Sequence, residues 1–325
     1  MQPSITSVNQ FARIKRIIVW LIPRVGSALF VIWAVATIVF FLLHLVPGDP
    51  ADFRFGEYTH SADRDAWRTS LGLDLPLWQQ YFNFISGALR FDFGESFHSQ
   101  RAVSAIILER LPATLELTVA SFFVAVVIAF PLGVIAAVKK NSYVDRGAMF
   151  FSLLGQSIPN FWLGPMLIML FSLWMGWFPV SGRTGIDSLI LPAITLGTAL
   201  SAILARMVRS SLLEVLGEDY IRTAKAKGLS SYTIVVKHGL RNAMLPVITL
   251  LGLQLGALLG GAVITETVFS WPGLGKLTID SIASRDYPVT QTCILLISIF
   301  YVLVNIMTDL VYAWIDPRIR VGGLQ

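Results

Sequence analysis

Cysteine is almost absent from this chain. The single residue Cys293 among 325 excludes an internal disulfide and any cysteine-based metal site. Histidine is nearly as scarce. His44, His60, His98 and His238 are scattered, and no pair has the i, i+3 or i, i+4 spacing of a helical metal site. Ordinary polar contacts are their plainer role. Charge is thin as well: 14% of residues are charged, against about 25% in soluble domains, while 55% are hydrophobic. That balance excludes a soluble globular domain and indicates a polytopic membrane protein. A nucleotide loop is also missing. Gly273-Leu274-Gly275-Lys276 resembles one faintly, but Ser270 stands where the first glycine belongs and Leu277 where Ser or Thr belongs. Asp92-Phe93-Gly94 mimics a kinase metal motif without the catalytic or glycine-rich loops that would accompany it. No cofactor bound by this chain and no nucleic-acid partner are expected.

What is present is a series of long apolar runs. Six reach spanning length: Val25–Val46 (the apolar stretch beginning near Ile17), Leu111–Val138, Gly147–Trp174, Leu189–Val208, Asn242–Thr265 and Val289–Ala313. Arg13, Lys15 and Arg16 precede the first, as in a secretory leader. Its 22 residues exceed a leader's apolar region, however, and Pro47-Gly48-Asp49-Pro50 follows in place of a small-residue cleavage site, so an uncleaved span is expected. Basic residues set the orientation. With the N-terminus cytoplasmic, the inner segments hold Arg13, Lys15, Arg16, Arg24, Lys139, Lys140, Arg146, Arg206, Arg209, Arg222, Lys225, Lys227, Lys237, Arg241, Arg318 and Arg320. The two short outer loops hold only Arg183, Lys276 and Arg285. Both termini are therefore expected in the cytoplasm. The expected divisions are a cytoplasmic segment 1–24, span 1 at 25–46, an extracytoplasmic region 47–110, a core 111–313 and a cytoplasmic tail 314–325.

An ion-coupled carrier is the competing reading. It needs ionisable groups near the bilayer midplane. Glu116 lies near the outer end of span 2 and Asp309 about a turn from the inner end of span 6, both shallow enough to pair with arginine. No inverted repeat is evident. An intramembrane hydrolase would need a nucleophile–base pair on facing spans, and the only histidine in a span is His44 at the rim.

Three further patterns stand out. In the outer region, Asp63–Leu71 and Pro76–Leu89 read as short amphipathic helices. The second places Trp78, Tyr81, Phe82 and Ile85 on one stripe, an interfacial belt or local core on one reading and a seat for an extracytoplasmic partner on the other. In span 5, Gly252, Gly256 and Gly260 share a face that permits close helix packing, within the bundle or at a subunit seam. Polar or helix-breaking residues inside spans are the candidates for a lined passage: Gln156, Ser157, Pro159 and Asn160 in span 3, and Asn242 and Gln254 in span 5. Each could equally serve as interhelical glue.

The most informative segment is Glu218–Pro246, a basic stretch between two apolar runs. Glu218 and Asp219 suit a helix N-terminus, and Lys225 and Lys227 its C-terminus. Gly228 suits a left-handed stop, and Ser230 or Ser231 can cap a second short helix. Such a pair of helices lies outside lipid and offers a surface to a soluble partner.

This segment resembles the cytoplasmic EAA loop of ABC-importer permeases. Aligned on Gly228, it reads Arg222-Thr223-Ala224 before the glycine and His238-Gly239-Leu240-Arg241 nine residues after it. The run from Asp219 to Leu229 resembles the B-type permease subunit of dipeptide and oligopeptide importers. Further likeness lies in His44–Pro50, Leu71–Asp74, Phe91–Gly94, Thr265–Gly275 and Asp316–Arg318. The resemblance implies an all-α, six-span permease of the type I importer fold in a bacterial inner membrane. It implies pairing with a homologous second permease, two ATPases that carry ATP and Mg, and an extracytoplasmic binding protein that delivers di- or oligopeptides. Glutathione and nickel chelates are the alternative cargoes. The segment 209–241 would then be a lever seated in a groove of the ATPase. Ala224, Ala226 and Gly228 would keep that contact close. Tyr220, Ile221 and Leu229 would be apolar knobs, and Arg222, Lys225 and Lys227 would meet acidic groups or serve as plain positive-inside anchors.

Overall fold

The computed structural model describes residues 5–45, 48–51 and 61–315. Among them helices are the only regular elements, with a lone β-bridge between Glu95 and Ala102. The helices are α1 (Ile5–Leu45), α2 (Ser61–Ser70), α3 (Leu77–Leu89), α4 (Val103–Val138), α5 (Tyr143–Ser157), α6 (Asn160–Leu167), α7 (Ile186–Leu216), α8 (Asp219–Ala226), α9 (Arg241–Val268), α10 (Leu274–Ala283) and α11 (Tyr287–Ile315). Two π-helical stretches extend them: Ile168–Trp174 continues α6, and Thr233–Leu240 leads into α9. Five helices are long and apolar enough to cross a bilayer. The pair Tyr143–Ser157 and Asn160–Trp174, bent by 99°, supplies a sixth crossing if it counts as one span.

The order of elements matches the expectation, but several boundaries differ. Residues 5–45 form one helix, of which Ile22–Leu45 has the length and hydropathy of a span. Span 3 is not continuous. Pro159 forces Ile158 into extended geometry (φ −83°, ψ 117°), and the helix breaks there. Segment 209–241 is mostly helical, as its two expected short helices require, but its limits differ. α7 runs on to Leu216 because Leu212 is buried in a cluster with Ala137 and Ala243. The second short helix expected after Gly228 runs straight into span 5. Val46, Pro47, His60 and the Asp316–Arg318 motif lie outside the described residues.

The core is built on α4 against α7. Ser121, Ala125, Ala129, Gly133 and Ala137 are buried at four-residue spacing along α4. This small-residue face lets the two backbones approach. A Cβ on Gly133 would lie 2.7 Å from the Ala205 carbonyl, and one on Gly197 would lie 2.8 Å from that of Ser121. Leu117, Leu196, Leu200, Leu204, Leu258 and Trp271 fill the space around this seam. In α9, Gly252 and Gly256 serve packing within the chain. Their missing side chains make room for Thr308 and Tyr301 of α11. The surroundings of Gly260 lie outside the described residues.

The outer region packs on the end of α1. The Tyr81 ring lies against Phe40 and Phe41, and its hydroxyl is 2.8 Å from Thr37 Oγ1. The stripe read along α3 therefore divides: Tyr81 faces α1, while Trp78 and Phe82 are exposed. Asp286 ties this region to α11, accepting the Ser96 hydroxyl and the Phe97 N–H (3.1 Å).

Candidate functional site

Two polar features stand apart from the apolar bundle. The first is α8, held between the ends of α7 and α9. Its N-terminal residue Asp219 is exposed and pairs with Arg222 at 3.1 Å. Its C-terminus closes in a Schellman arrangement. The Gly228 N–H donates to the Lys225 carbonyl at 3.0 Å, and the Leu229 N–H to that of Ala224 at 3.3 Å. Gly228 sits at φ +75°, in the left-handed region expected of it, and the space where a Cβ would stand is open. Ser230 then caps the next helix, its Oγ accepting the Thr233 N–H at 3.3 Å.

Two residues face opposite to the expectation. Ile221 and Ala224 are buried against Ile234 and Leu216, so they fasten α8 to its own chain. The physical reason is amphipathicity: positions 221 and 224 fall on one side of a short helix, and that side covers the stem of α9. The outward face carries Glu218, Asp219, Tyr220, Arg222, Lys225, Ala226, Lys227, Gly228 and Leu229. Tyr220 is also held: its oxygen accepts a hydrogen bond from Asn242 Nδ2 at 2.8 Å.

An ion pair with a buried carboxylate supports this segment, and the sequence reading assigned it no role. Asp145, in the first turn of α5, accepts two hydrogen bonds from Arg209 of α7 and a third from the Asn141 N–H at 2.9 Å. A signal for it exists in the sequence. Ser142-x-x-Asp145 is a capping pattern ahead of an apolar run, and Ser142 Oγ accepts the Asp145 N–H at 3.3 Å.

The second polar feature is the break between α5 and α6. Gln156 and Ser157 are exposed there, and Asn160 is half-buried at the start of α6. Arg206 of α7 reaches this break and donates to Gln156 Oε1. Gln254 is half-buried in α9, and its carboxamide has no hydrogen-bond partner among the described residues. The two acids weighed for an ion relay are both neutralised by arginine. Arg183 Nε lies 2.7 Å from Glu116, and Arg24 Nε lies 2.7 Å from Asp309.

At the opposite end of the bundle from α8, Glu266 at the end of α9 is fully buried. It accepts the Thr114 hydroxyl and the Lys276 N–H, each at 2.8 Å, and so closes the N-terminus of α10. Thr114 Oγ1 in turn accepts the Leu274 N–H at 2.7 Å, and Trp271 Nε1 donates to the Ala113 carbonyl at 2.8 Å. This knot joins α4, α9 and α10. Among the described residues there is no cluster of His, Cys, Asp and Glu able to hold a metal ion.

Comparison with known proteins decides the class. Residues 129–321 match the family described as binding-protein-dependent transport system inner membrane component, and residues 17–118 match the N-terminal module of such membrane components. The chain belongs to this family. It is 45% identical over 301 residues to the glutathione transport system permease protein GsiC of Escherichia coli (strain K12), covering 93% of this chain and 98% of that one. The same values hold for GsiC of Shigella dysenteriae serotype 1 (strain Sd197). Among solved structures, an inward-facing form of the MetNI methionine ABC transporter has a chain that superposes with a TM-score of 0.58 at 23% identity. That match covers 65% of this chain and 96% of the other, and it shows the fold. A second crystal form gives 0.56 at 24% identity. The chain is thus a permease subunit of an ABC importer with a type I permease fold, and a transport component of a bacterial inner membrane. The resemblance drawn from segment 209–241 and the motifs around it holds over nearly the whole length.

Proposed function

We propose that this chain forms one half of the translocation path of an importer for small peptides, glutathione among them. A homologous permease would form the other half, and two cytoplasmic ATPases would hydrolyse Mg-ATP for both. An extracytoplasmic binding protein would deliver the cargo. Both termini would be cytoplasmic, which places α8 on the ATPase side. The observation that carries this reading is the construction of α8. It is a short, rigid helix anchored inward by Ile221 and Ala224, with its charged face left open. It is joined to α7 by a two-residue link and to α9 through the Gly228 turn and the π-helical stretch Thr233–Leu240. A push on that face reaches α7 through Leu216 and α9 through Ile234. Arg222, Lys225 and Lys227 suit an acidic groove, and Gly228 leaves room for a partner's surface.

The peptide assignment draws on the resemblance to B-type subunits and on the relatives' glutathione transport. Both cargoes are short amides with free carboxylates. An ion-coupled carrier is the weaker reading, because Glu116 and Asp309 are engaged by arginines rather than left to bind an ion. Reconstitution tests the proposal. The four-subunit complex in liposomes, given its loaded binding protein and ATP, should accumulate labelled peptide or glutathione. Uptake that persists without ATPase subunits and follows a proton or sodium gradient would reject it.

A further inference from the structure

Arg206 is a charge in an unusual place. It lies within a helix that spans the membrane, and its recorded partner is the neutral oxygen of Gln156. No carboxylate faces it among the described residues. Its neighbour one turn on, Arg209, is fully matched by Asp145.

The antiparallel packing of α5 and α7 gives the depth. Asp145 meets Arg209 at the inner end, and Gly155 sits against Thr198 and Ala202 further out. Gln156 lies eleven residues beyond Asp145, roughly 16 Å along the axis. That is about half of a hydrocarbon layer of about 30 Å. Side chains lean toward the N-terminus of their helix. Arg206 therefore climbs outward along α7 while Gln156 drops inward along α5. A long basic side chain near the inner boundary lowers its energy by reaching the headgroups; this one points the other way. Arg206 starts three residues, roughly 4.5 Å, outward of Arg209, and its guanidinium is drawn from there toward Gln156 on an exposed face, where it meets water or a polar substrate rather than lipid. Ser157 and Asn160 at the same helix break extend the polar patch.

The geometry points to a carboxylate-receiving station: Arg206, aimed by Gln156, binds a free carboxylate of the substrate as it passes the break between α5 and α6. This deepens the peptide-import reading and rests on it. Gln156 engages one of the guanidinium's five hydrogens and leaves the others for a paired contact with a carboxylate. The α-carboxylate is also a feature that every unmodified peptide shares whatever its sequence. A passage that must tolerate many side chains can use it without becoming selective among them.

The test uses the complete importer in liposomes with matched binding-protein occupancy. The probes are trialanine with a free C-terminus and its C-terminal amide. Arg206→Gln should lower uptake of the free acid by about tenfold or more and change the amide little. Arg206→Lys should restore part of the loss. A second measurement covers a failure of assembly: Ser157→p-benzoylphenylalanine with Arg206 intact should capture labelled trialanine during turnover. Equal losses for acid and amide, or no loss, would overturn the station. So would an absence of captured peptide, or capture of the second permease in its place. If the wild-type importer takes up neither probe, the peptide reading itself falls.

Discussion

Arg209 holds Asp145 with two parallel hydrogen bonds, Nε to Oδ1 at 2.6 Å and Nη2 to Oδ2 at 2.8 Å. The pair pins the first turn of α5 to α7 two turns before α7 ends, just above the segment that carries α8. A movement of α8, if it carries the proposed coupling, would reach α5 as well as its own stem.

Removing one partner of a fully buried ion pair costs about 3–5 kcal/mol, and less is expected here because Arg209 keeps some contact with solvent. Asp145→Ala should lower the thermal stability of the purified subunit and its abundance in the membrane. Asp145→Leu combined with Arg209→Met should be more stable than the single variant, since a matched apolar pair strands no charge. The check is a melting curve for each in the same detergent. A single variant as stable as wild type would show that the pair does not organise this end of the bundle.

Gly273 is tied to Glu266. A Cβ at 273 would stand 2.1 Å from Glu266 Oε1, and the carboxylate has no room to retreat while it accepts from Thr114 and the Lys276 N–H. Gly273→Ala should therefore destabilise by about 1–3 kcal/mol, the usual cost of overpacking. Thr114→Val should cost a similar amount by leaving a buried carboxylate short of a donor. Melting temperatures of both variants measure this, and an unchanged value for Gly273→Ala would mean that the knot is loose.

These details mark where the sequence was legible and where it was not. The long apolar runs and the positive φ at Gly228 follow from local chemistry. So do the caps around α8, since each depends on a few adjacent residues. The roles of Asp145 and Glu266 depend on partners 64 and 152 residues away, and only the fold brings those together. Ile221 and Leu229 look alike as apolar residues in a polar segment, yet one is buried and the other exposed. The direction in which α8 packs decides between them. The small face along α4 from Ser121 to Ala137 was readable by the rule that picked out Gly252 and Gly256. Alanine is so common in apolar helices, however, that its spacing draws little notice.

Orientation is open to chemical labelling. After Cys293 is replaced, cysteines at Ser99 and Ser181 should react with an impermeant thiol reagent added to intact cells. Cysteines at Lys140 and Tyr232 should react only after lysis. All four positions are exposed in the fold, so accessibility reports the side of the membrane. Labelling at Tyr232 from outside would place α8 away from the ATPases and remove the basis of the coupling proposal.

Gly228 offers the sharpest test of coupling. Its φ of +75° closes the Schellman turn, and a branched residue there costs about 1–2 kcal/mol in the left-handed region. Apart from its chain neighbours, no atom of the described residues stands within 4 Å of the Cβ position, so the strain is confined to the turn and the bundle core is untouched. Gly228→Val should insert normally and keep membrane abundance. It should tilt or fray α8 and place a branched side chain on the face proposed to meet the ATPase. Peptide uptake should fall by about tenfold or more, and ATPase activity stimulated by loaded binding protein should fall with it, or the ATPases should be lost on purification. Gly228→Asn should do less harm, because asparagine tolerates this backbone conformation. Ser231→Ala should do least, since that side chain is exposed and makes none of the caps. The readouts are membrane abundance, ATPase retention, stimulated hydrolysis and uptake, compared across the three variants. Normal uptake by Gly228→Val at normal abundance would mean that α8 does not carry the stroke of the ATPases into the membrane helices.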